Sequence, residues 1–253
     1  IQIDPTLNRS PQKMIEQARH FETLAPNVQI KFPAVKAGIE ALEAVAEEGI
    51  SINATVSFTV PQALAVGEAM ERALAKREAA GHDTSWMAPV ATIMIGRTDD
   101  WMKAWAKREG VTLTPGAADW AGVAVFKRAA AIFEERGYRT RLLAAAYRHH
   151  LHWSELIGGN ISMTIPYGWQ RLFNDSTIEV VDRWANPAPQ AYIDELLEKV
   201  PEFGMAYEPD GLIIDEFATY GATQRTLRGF LASYWELVGT IDGLLVPNPD
   251  VKA

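Results

Sequence analysis

The amino-acid sequence predicts an α/β fold, and within that class a TIM-type (β/α)8 barrel represented by about six strands. Short strand-like runs alternate with helix-like runs, which is the rhythm of a parallel sheet. Several strand-like runs are polar on one face, although helices normally cover both faces of a parallel sheet. A barrel accounts for this pattern, because its lumen accepts polar side chains near the carboxyl ends of the strands. No glycine-rich phosphate loop follows an early strand, which disfavours a doubly wound nucleotide-binding sheet.

Six strands and six helices are predicted from the spacing of apolar residues. The strands are expected at 1–4, 28–32, 50–58, 90–97, 140–147 and 161–165. The helices are expected at 11–24, 35–48, 61–80, 98–108, 122–136 and 190–198, with a further helical segment at 213–240. Ser10 before Pro11 and Thr59 before Pro61 supply helix-start signals. We expect residues 1–253 to form one domain.

The composition is that of an ordinary globular chain, with 48% hydrophobic and 22% charged residues. The 32 acidic residues outnumber the 24 basic ones, so the positive field that nucleic-acid binding requires is missing. Because there is no cysteine and no apolar run of membrane length, we expect no disulfide, no membrane association and a cytoplasmic location.

The strand at 50–58 shows the polar and apolar alternation most clearly. Its polar face carries Ser51, Asn53, Thr55 and Ser57, and its apolar face carries Ile50, Ile52, Ala54, Val56 and Phe58. Gln2 opposes Ile1 and Ile3 in the same manner, and Lys31 opposes its apolar neighbours. We therefore expect polar groups from several strands to meet in one lumen.

Lys31 is the most informative residue, because it lies inside a predicted strand between Ile30 and Phe32. Burying an ammonium group is costly, and the group responds by lowering its pKa, which leaves a nucleophilic amine. Such an amine can form an iminium with a ketone, so that the adjacent carbon–carbon bond breaks without metal or organic cofactor. A hydrated strand-end lysine, or one paired with Asp4, is the alternative, and the residue pattern leaves both open.

Two motifs around Lys31 resemble the transaldolase family. Residues 28–34, Val-Gln-Ile-Lys-Phe-Pro-Ala, are similar to the strand ending Lys-Ile-Pro-Ala-Thr that carries the family's Schiff-base lysine. Residues 48–55, Glu-Gly-Ile-Ser-Ile-Asn-Ala-Thr, are similar to the family's Glu-Gly-Ile-x-x-Asn-x-Thr, whose polar residues line the site. The resemblance implies a Schiff base on Lys31, a catalytic role for Thr55 and substrate binding by Asn53.

Two arginine motifs extend the resemblance. Thr92 and residues 95–101 are similar to the family's Ser-Pro-Phe-Val-Gly-Arg-x-x-Asp-Trp, and residues 145–148 are similar to its Ala-Ser-Phe-Arg. The resemblance implies that Thr92, Arg97 and Arg148 hold the substrate phosphate, a task that suits the planar guanidinium group. The alternative is that both arginines are surface salt-bridge partners.

The resemblance covers roughly the first two thirds of the chain, and it is incomplete. The family barrel has two strands before the one that resembles residues 1–5, and they carry an aspartate and an asparagine of the active site. We therefore expect a fragment, one part of a two-chain assembly or a shortened homologue. Gln2 stands where most members have a glutamate, and glutamine cannot exchange a proton at neutral pH, so Asp4 is a possible substitute. Met94 and Ala146 also depart from the family, which leaves a different anion, such as a sulfonated sugar, open.

The resemblance implies a transaldolase reaction of carbohydrate metabolism and the pentose phosphate pathway, with Lys31, Thr55 and Gln2 as catalytic residues and sugar phosphates as substrates. An aldolase that releases free dihydroxyacetone and a catalytically silent sugar-phosphate-binding homologue are the alternatives. We expect no cofactor, and as partners either further copies of the chain or a second chain that supplies the first two strands.

Three histidines, His149, His150 and His152, follow the strand that ends near Arg148. Histidine triplets can bind zinc, but this spacing does not place three rings on one face. We expect no metal here, and we expect His149 near the rim of the substrate site.

Overall fold

The computed structural model describes residues 1–246 and 249–250 and contains one parallel sheet. Its strands follow one another in chain order as β1 (Ile30–Pro33), β2 (Ile52–Ser57), β3 (Val90–Ile93), β4 (Arg141–Ala144) and β5 (Ser162–Met163). Residues 1–3 run alongside β1 through a parallel bridge between Gln2 and Lys31. The Lys31 N–H donates to the Ile1 carbonyl at 2.8 Å. The α/β prediction is confirmed, and the parallel sheet with its helices is consistent with a TIM-type barrel.

Helices connect the strands and cover the outer face of the sheet. In the part of the chain that the structure describes they are α1 (Pro11–Glu22), α2 (Lys36–Glu47), α3 (Val60–Ala79), α4 (Ile95–Glu109), α5 (Ala121–Glu135), α6 (Leu151–Ser154), α7 (Tyr167–Asn174), α8 (Gln190–Lys199), α9 (Pro201–Tyr207) and α10 (Gly221–Leu245). The six predicted helices are present, whereas the short helices α6, α7 and α9 were not expected. The segment predicted as helix at 213–240 consists of a 3-10 turn, Ile214–Glu216, followed by α10.

The strand predicted at 1–4 is reduced to a single bridge at Gln2, and the one predicted at 161–165 is shortened to Ser162–Met163. Two other strand predictions run three or more residues past the end of the observed strand. The strand predicted at 90–97 is wrong beyond Ile93, because the Arg97 N–H donates to the Met94 carbonyl at 2.9 Å and starts α4. Arg97 therefore lies in the first turn of a helix, although it still follows the carboxyl end of β3. The strand predicted at 140–147 stops at Ala144, and Ala146 has a positive φ of 66° that turns the chain.

The side chains of β1 alternate as predicted, because Ile30 and Phe32 are fully buried in the core while Lys31 is only partly buried on the other face. The alternation predicted for β2 breaks at Val56. Its φ of 56° lies in the left-handed region and accompanies a register shift between Ala54 and Ser57. Val56 is nevertheless buried in the apolar core, and it also lines the pocket of Lys31.

The residues at the start of α3, where the sequence predicts a helix, also hold the carboxyl ends of β1 and β2 in place. The Thr59 hydroxyl accepts the Gln62 N–H at 3.1 Å, which is the expected N-cap bond. The buried Gln62 amide then donates to the Ala34 carbonyl at 2.9 Å and to the Val56 carbonyl at 3.2 Å. These bonds satisfy buried carbonyl groups, so they hold the chain where it leaves β1 and β2. No helix among the described residues has an apolar stretch that could cross a bilayer.

Candidate active site

Lys31 lies in a pocket on the polar side of the sheet. Gln2, Thr55 and Val56 line this pocket from the strand side, and α10 closes it with Leu227 and Phe230. The Lys31 amine makes no ion pair or hydrogen bond with a side chain in the described part of the chain. The Lys31 amine therefore has no side-chain partner to lose when it reacts.

Asp4, the alternative partner of Lys31, is bound elsewhere. Its Oδ1 accepts the Thr6 N–H at 2.8 Å and the Thr6 hydroxyl at 2.7 Å, as the cap of a short 3-10 turn. Asp4 also hydrogen-bonds to Tyr234, and that bond and the carboxylate charge raise the pKa of Tyr234. Asp4 thus has partners in this turn and on α10, and it also lines the pocket of Lys31.

The polar residues of β2 and β3 meet directly beside Lys31. Asn53 is in register with Lys31, and Thr55 is in register with Pro33, two residues further along the same face. The buried Thr92 hydroxyl donates to Asn53 Oδ1 at 2.7 Å. This bond fixes the Asn53 side chain and leaves its amide N–H groups for a molecule in the lumen.

Arg97 and Arg148 come together beyond the carboxyl ends of β3 and β4. Arg148 contacts Asp100 Oδ2 with Nε at 2.9 Å and with a terminal nitrogen at 2.8 Å. Arg97 lies above the Phe230 ring, 5.2 Å from its centroid. Burial, and then the positive charges of Arg148 and Arg225, lower the pKa of Arg97. Arg97 is partly desolvated and has no ion pair among the described residues, so its charge can attract an anion, whereas the charge of Arg148 is shared with Asp100.

Arg225 is a third cation in this corner, and no sequence motif pointed to it. It extends from α10, where its guanidinium makes a long 3.4 Å contact with the Asp100 carbonyl. Phe230, one and a half turns further on, contacts both Arg97 and the pocket of Lys31. Helix α10 therefore connects the amine and the arginines, a long-range relationship that local motifs do not encode.

His149 and His152 share one carboxylate oxygen of Asp99, at 2.9 and 2.7 Å from their Nε2 atoms. The ligand atoms of these three residues lie within 4.8 Å of one another, so they are a candidate metal site. His150 is exposed and does not belong to this group. The hydrogen bonds disfavour a metal, because His152 Nδ1 accepts the Arg148 N–H at 3.0 Å, which requires the ring proton to be on Nε2. A protonated Nε2 has no lone pair for a metal ion.

The parallel sheet, its covering helices and the polar groups beyond its strand ends define an α/β protein of the TIM-barrel class. Within that class, the chain belongs to the family described as transaldolase/fructose-6-phosphate aldolase, whose model matches residues 1–229. This finding confirms the resemblance drawn from the sequence.

Two relatives that are named transaldolases support the family assignment. A transaldolase of Neisseria gonorrhoeae is 32% identical over 190 residues, which is 69% of this chain and 54% of the relative. A transaldolase of Mycolicibacterium smegmatis is 36% identical over 137 residues, which is 53% of this chain and 37% of the relative. The chain thus spans about half the length, or less, of these curated relatives.

Proposed function

We propose that the protein catalyses a transaldolase reaction, in which Lys31 carries a dihydroxyacetone unit as a Schiff base between sugar phosphates. The observation that carries the proposal is the uncommitted Lys31 amine in a pocket lined by Gln2 and Thr55. Membership of the transaldolase/fructose-6-phosphate aldolase family supports the same chemistry.

In the proposed first half-reaction, the Lys31 amine attacks the C2 carbonyl of a ketose to give a carbinolamine, which takes up a proton and loses water to give an iminium. The electrons of the C3–C4 bond move into the iminium as the C4 hydroxyl loses its proton and becomes an aldehyde. A water molecule held between Thr55 and the Gln2 amide takes that proton, since glutamine cannot accept it. Asn53 binds a hydroxyl group of the three-carbon unit that stays on Lys31.

In the second half-reaction, the enamine on Lys31 attacks the carbonyl carbon of an acceptor aldehyde, and the new alkoxide takes up a proton. Water then adds to the iminium and releases the product ketose with the free amine. Thr92 contributes indirectly, because its hydroxyl holds Asn53. Arg97 and Arg148 bind the terminal phosphate of the substrates, and Arg225 adds a third positive charge near them.

Gln2 favours a second candidate function, cleavage to free dihydroxyacetone. It lines the pocket beside Lys31 at the position where most family members have a proton-exchanging glutamate. In this case water, and no acceptor sugar, would resolve the intermediate.

Borohydride trapping tests the proposal. Purified full-length protein is incubated with fructose 6-phosphate, reduced and digested, and a three-carbon adduct on Lys31 is expected by mass spectrometry. The Lys31→Met variant should form no adduct, whereas Lys36→Ala should behave as the unmodified protein, because Lys36 pairs with Asp215 on the outer surface. The absence of an adduct with every ketose tried would contradict both catalytic candidates and favour a silent binding homologue.

An acceptor experiment separates the two catalytic candidates. Erythrose 4-phosphate is added to unreduced protein that has been incubated with fructose 6-phosphate, and the products are followed with time. Faster formation of a seven-carbon ketose than of free dihydroxyacetone supports transfer, and the reverse order supports simple cleavage.

A further inference from the structure

We infer that His152 is a positioning residue, which holds the anion-binding Arg148 by its backbone while buried Asp99 fixes the tautomer that this requires. The inference rests on the proposed function, because the position of Arg148 matters only if its guanidinium binds the substrate anion. His152 does not itself contact the proposed substrate site.

The geometry of His152 defines its hydrogen-bonding state. Its Nδ1 accepts the Arg148 backbone N–H at 3.0 Å, and its Nε2 donates to Asp99 Oδ2 at 2.7 Å. Both His152 and Asp99 are fully buried. Only a neutral imidazole with the proton on Nε2 makes both bonds, so Asp99 selects the tautomer that leaves Nδ1 free to accept.

Asp99 is itself held rigidly. Its Oδ1 accepts the Gly122 N–H at the start of α5 at 2.7 Å, and its Oδ2 also lies 2.9 Å from His149 Nε2. A buried carboxylate with three hydrogen bonds is well satisfied, and it holds the His152 ring in a fixed place relative to α5.

Arg148 needs this support because the chain before it is strained. Ala146 has a φ of 66°, a left-handed conformation that is strained for a residue with a side chain. A Cβ atom on Gly96 would lie 1.9 Å from the Ala146 carbonyl, so this turn packs directly on the start of α4. Two adjacent acids of α4 then hold Arg148 from both ends: Asp100 binds the guanidinium, and Asp99 holds the backbone through His152.

The test compares inorganic phosphate binding by calorimetry in His152→Leu, His152→Gln and the unmodified protein. We expect His152→Leu to bind phosphate roughly ten-fold more weakly and to have a higher KM for a phosphorylated ketose. The kcat for transfer of the dihydroxyacetone unit from an unphosphorylated ketose should be retained. His152→Gln should recover most of the affinity, because an amide can accept from Arg148 and donate to Asp99. His150 is exposed, so His150→Gln is the control, and its phosphate affinity should match that of the unmodified protein.

Two outcomes separate this inference from the proposed function. If the unmodified protein does not bind phosphate, the proposed anion site fails, and the inference fails with it. If the unmodified protein binds phosphate and folded His152→Leu binds it equally well, only the positioning role of His152 is overturned.

Nitrogen-15 NMR of the histidines tests the tautomer of His152 in the unmodified protein. The inference requires a protonated Nε2 and an unprotonated Nδ1 on His152. A proton on Nδ1, or a change at Nε2 when zinc is added, would overturn it.

Discussion

Lys31 on β1 stands in register with Asn53 on β2, so the two side chains leave the sheet on the same face. Thr92 on β3 reaches Asn53 from the other side with a 2.7 Å hydrogen bond. Three consecutive strands therefore contribute to one polar row, in which the amine has an ordered neighbour and no counter-ion among the described residues.

The first prediction concerns this row. Thr92→Val keeps the shape of the side chain but removes the donor, so buried Asn53 Oδ1 loses its partner. The free energy of unfolding should fall by about 1–3 kcal/mol, measured by urea denaturation. In an Asn53→Ala background, the same substitution should cost much less, because the acceptor is already gone. Equal costs in both backgrounds would show that the bond does not stabilise the protein.

The second prediction concerns the arginine on α10. Arg225→Gln should weaken phosphate binding about two- to five-fold and raise KM without lowering kcat, since an exposed charge is strongly screened. Arg228→Gln is the matched control, because Arg228 is also exposed and lines a separate cavity between α2 and α10. Both variants are titrated with phosphate at low and high salt. Equal losses in the two variants would indicate a general charge effect and would remove Arg225 from the anion site.

The sequence predicted those parts of the site that depend on local pattern. Period-two alternation is a property of a single strand, so the orientation of Lys31 and of Asn53 followed from a few residues. The bulge at Val56 did not follow, because it arises from the shifted register between two strands that are far apart in the chain.

The parts that were missed depend on contacts between distant segments. Arg225 reaches the site only because α10 crosses the strand ends, 128 residues after Arg97. For the histidines, the sequence does not show which ring nitrogen of His152 carries the proton; that follows from the bonds of the ring to the Arg148 N–H and to Asp99, 53 residues earlier in the chain. Arg97 was expected at a strand end, but the helix begins three residues earlier than the apolar period indicated.

The third prediction concerns the close approach of α4 to the turn after β4. Gly96→Ala should lower the melting temperature markedly, with a loss of more than about 2 kcal/mol, because the new methyl group would meet the Ala146 carbonyl. Gly239→Ala is the comparison, since this exposed glycine on α10 has open space around it. It should be neutral or stabilising by up to about 1 kcal/mol, because alanine favours a helix. Thermal denaturation of both variants measures the contrast, and similar effects in the two would show that α4 does not approach Ala146 this closely.

The last prediction concerns the pH dependence of stability. Burial, opposed by the hydrogen bond and charge of Asp99, lowers the pKa of His152, and the charges of His149 and Arg148 act in the same direction as burial. The folded protein therefore binds this proton less tightly than the unfolded chain does. The contribution of neutral His152 to stability is complete above the ordinary histidine pKa of about 6.5, and it is lost as the pH falls toward the lower folded value.

The stability difference between the unmodified protein and His152→Gln isolates this titration, because glutamine has no proton to bind. The difference should be largest near about pH 8 and should shrink toward about pH 5, with a slope of at most about 1.4 kcal/mol per pH unit. Urea denaturation at several pH values measures it, and His150→Gln should show no such trend, because its ring is exposed in the folded protein. A pH-independent difference would mean that His152 keeps the same proton affinity on folding, and the Asp99–His152–Arg148 arrangement would then lack the buried neutral ring on which it depends.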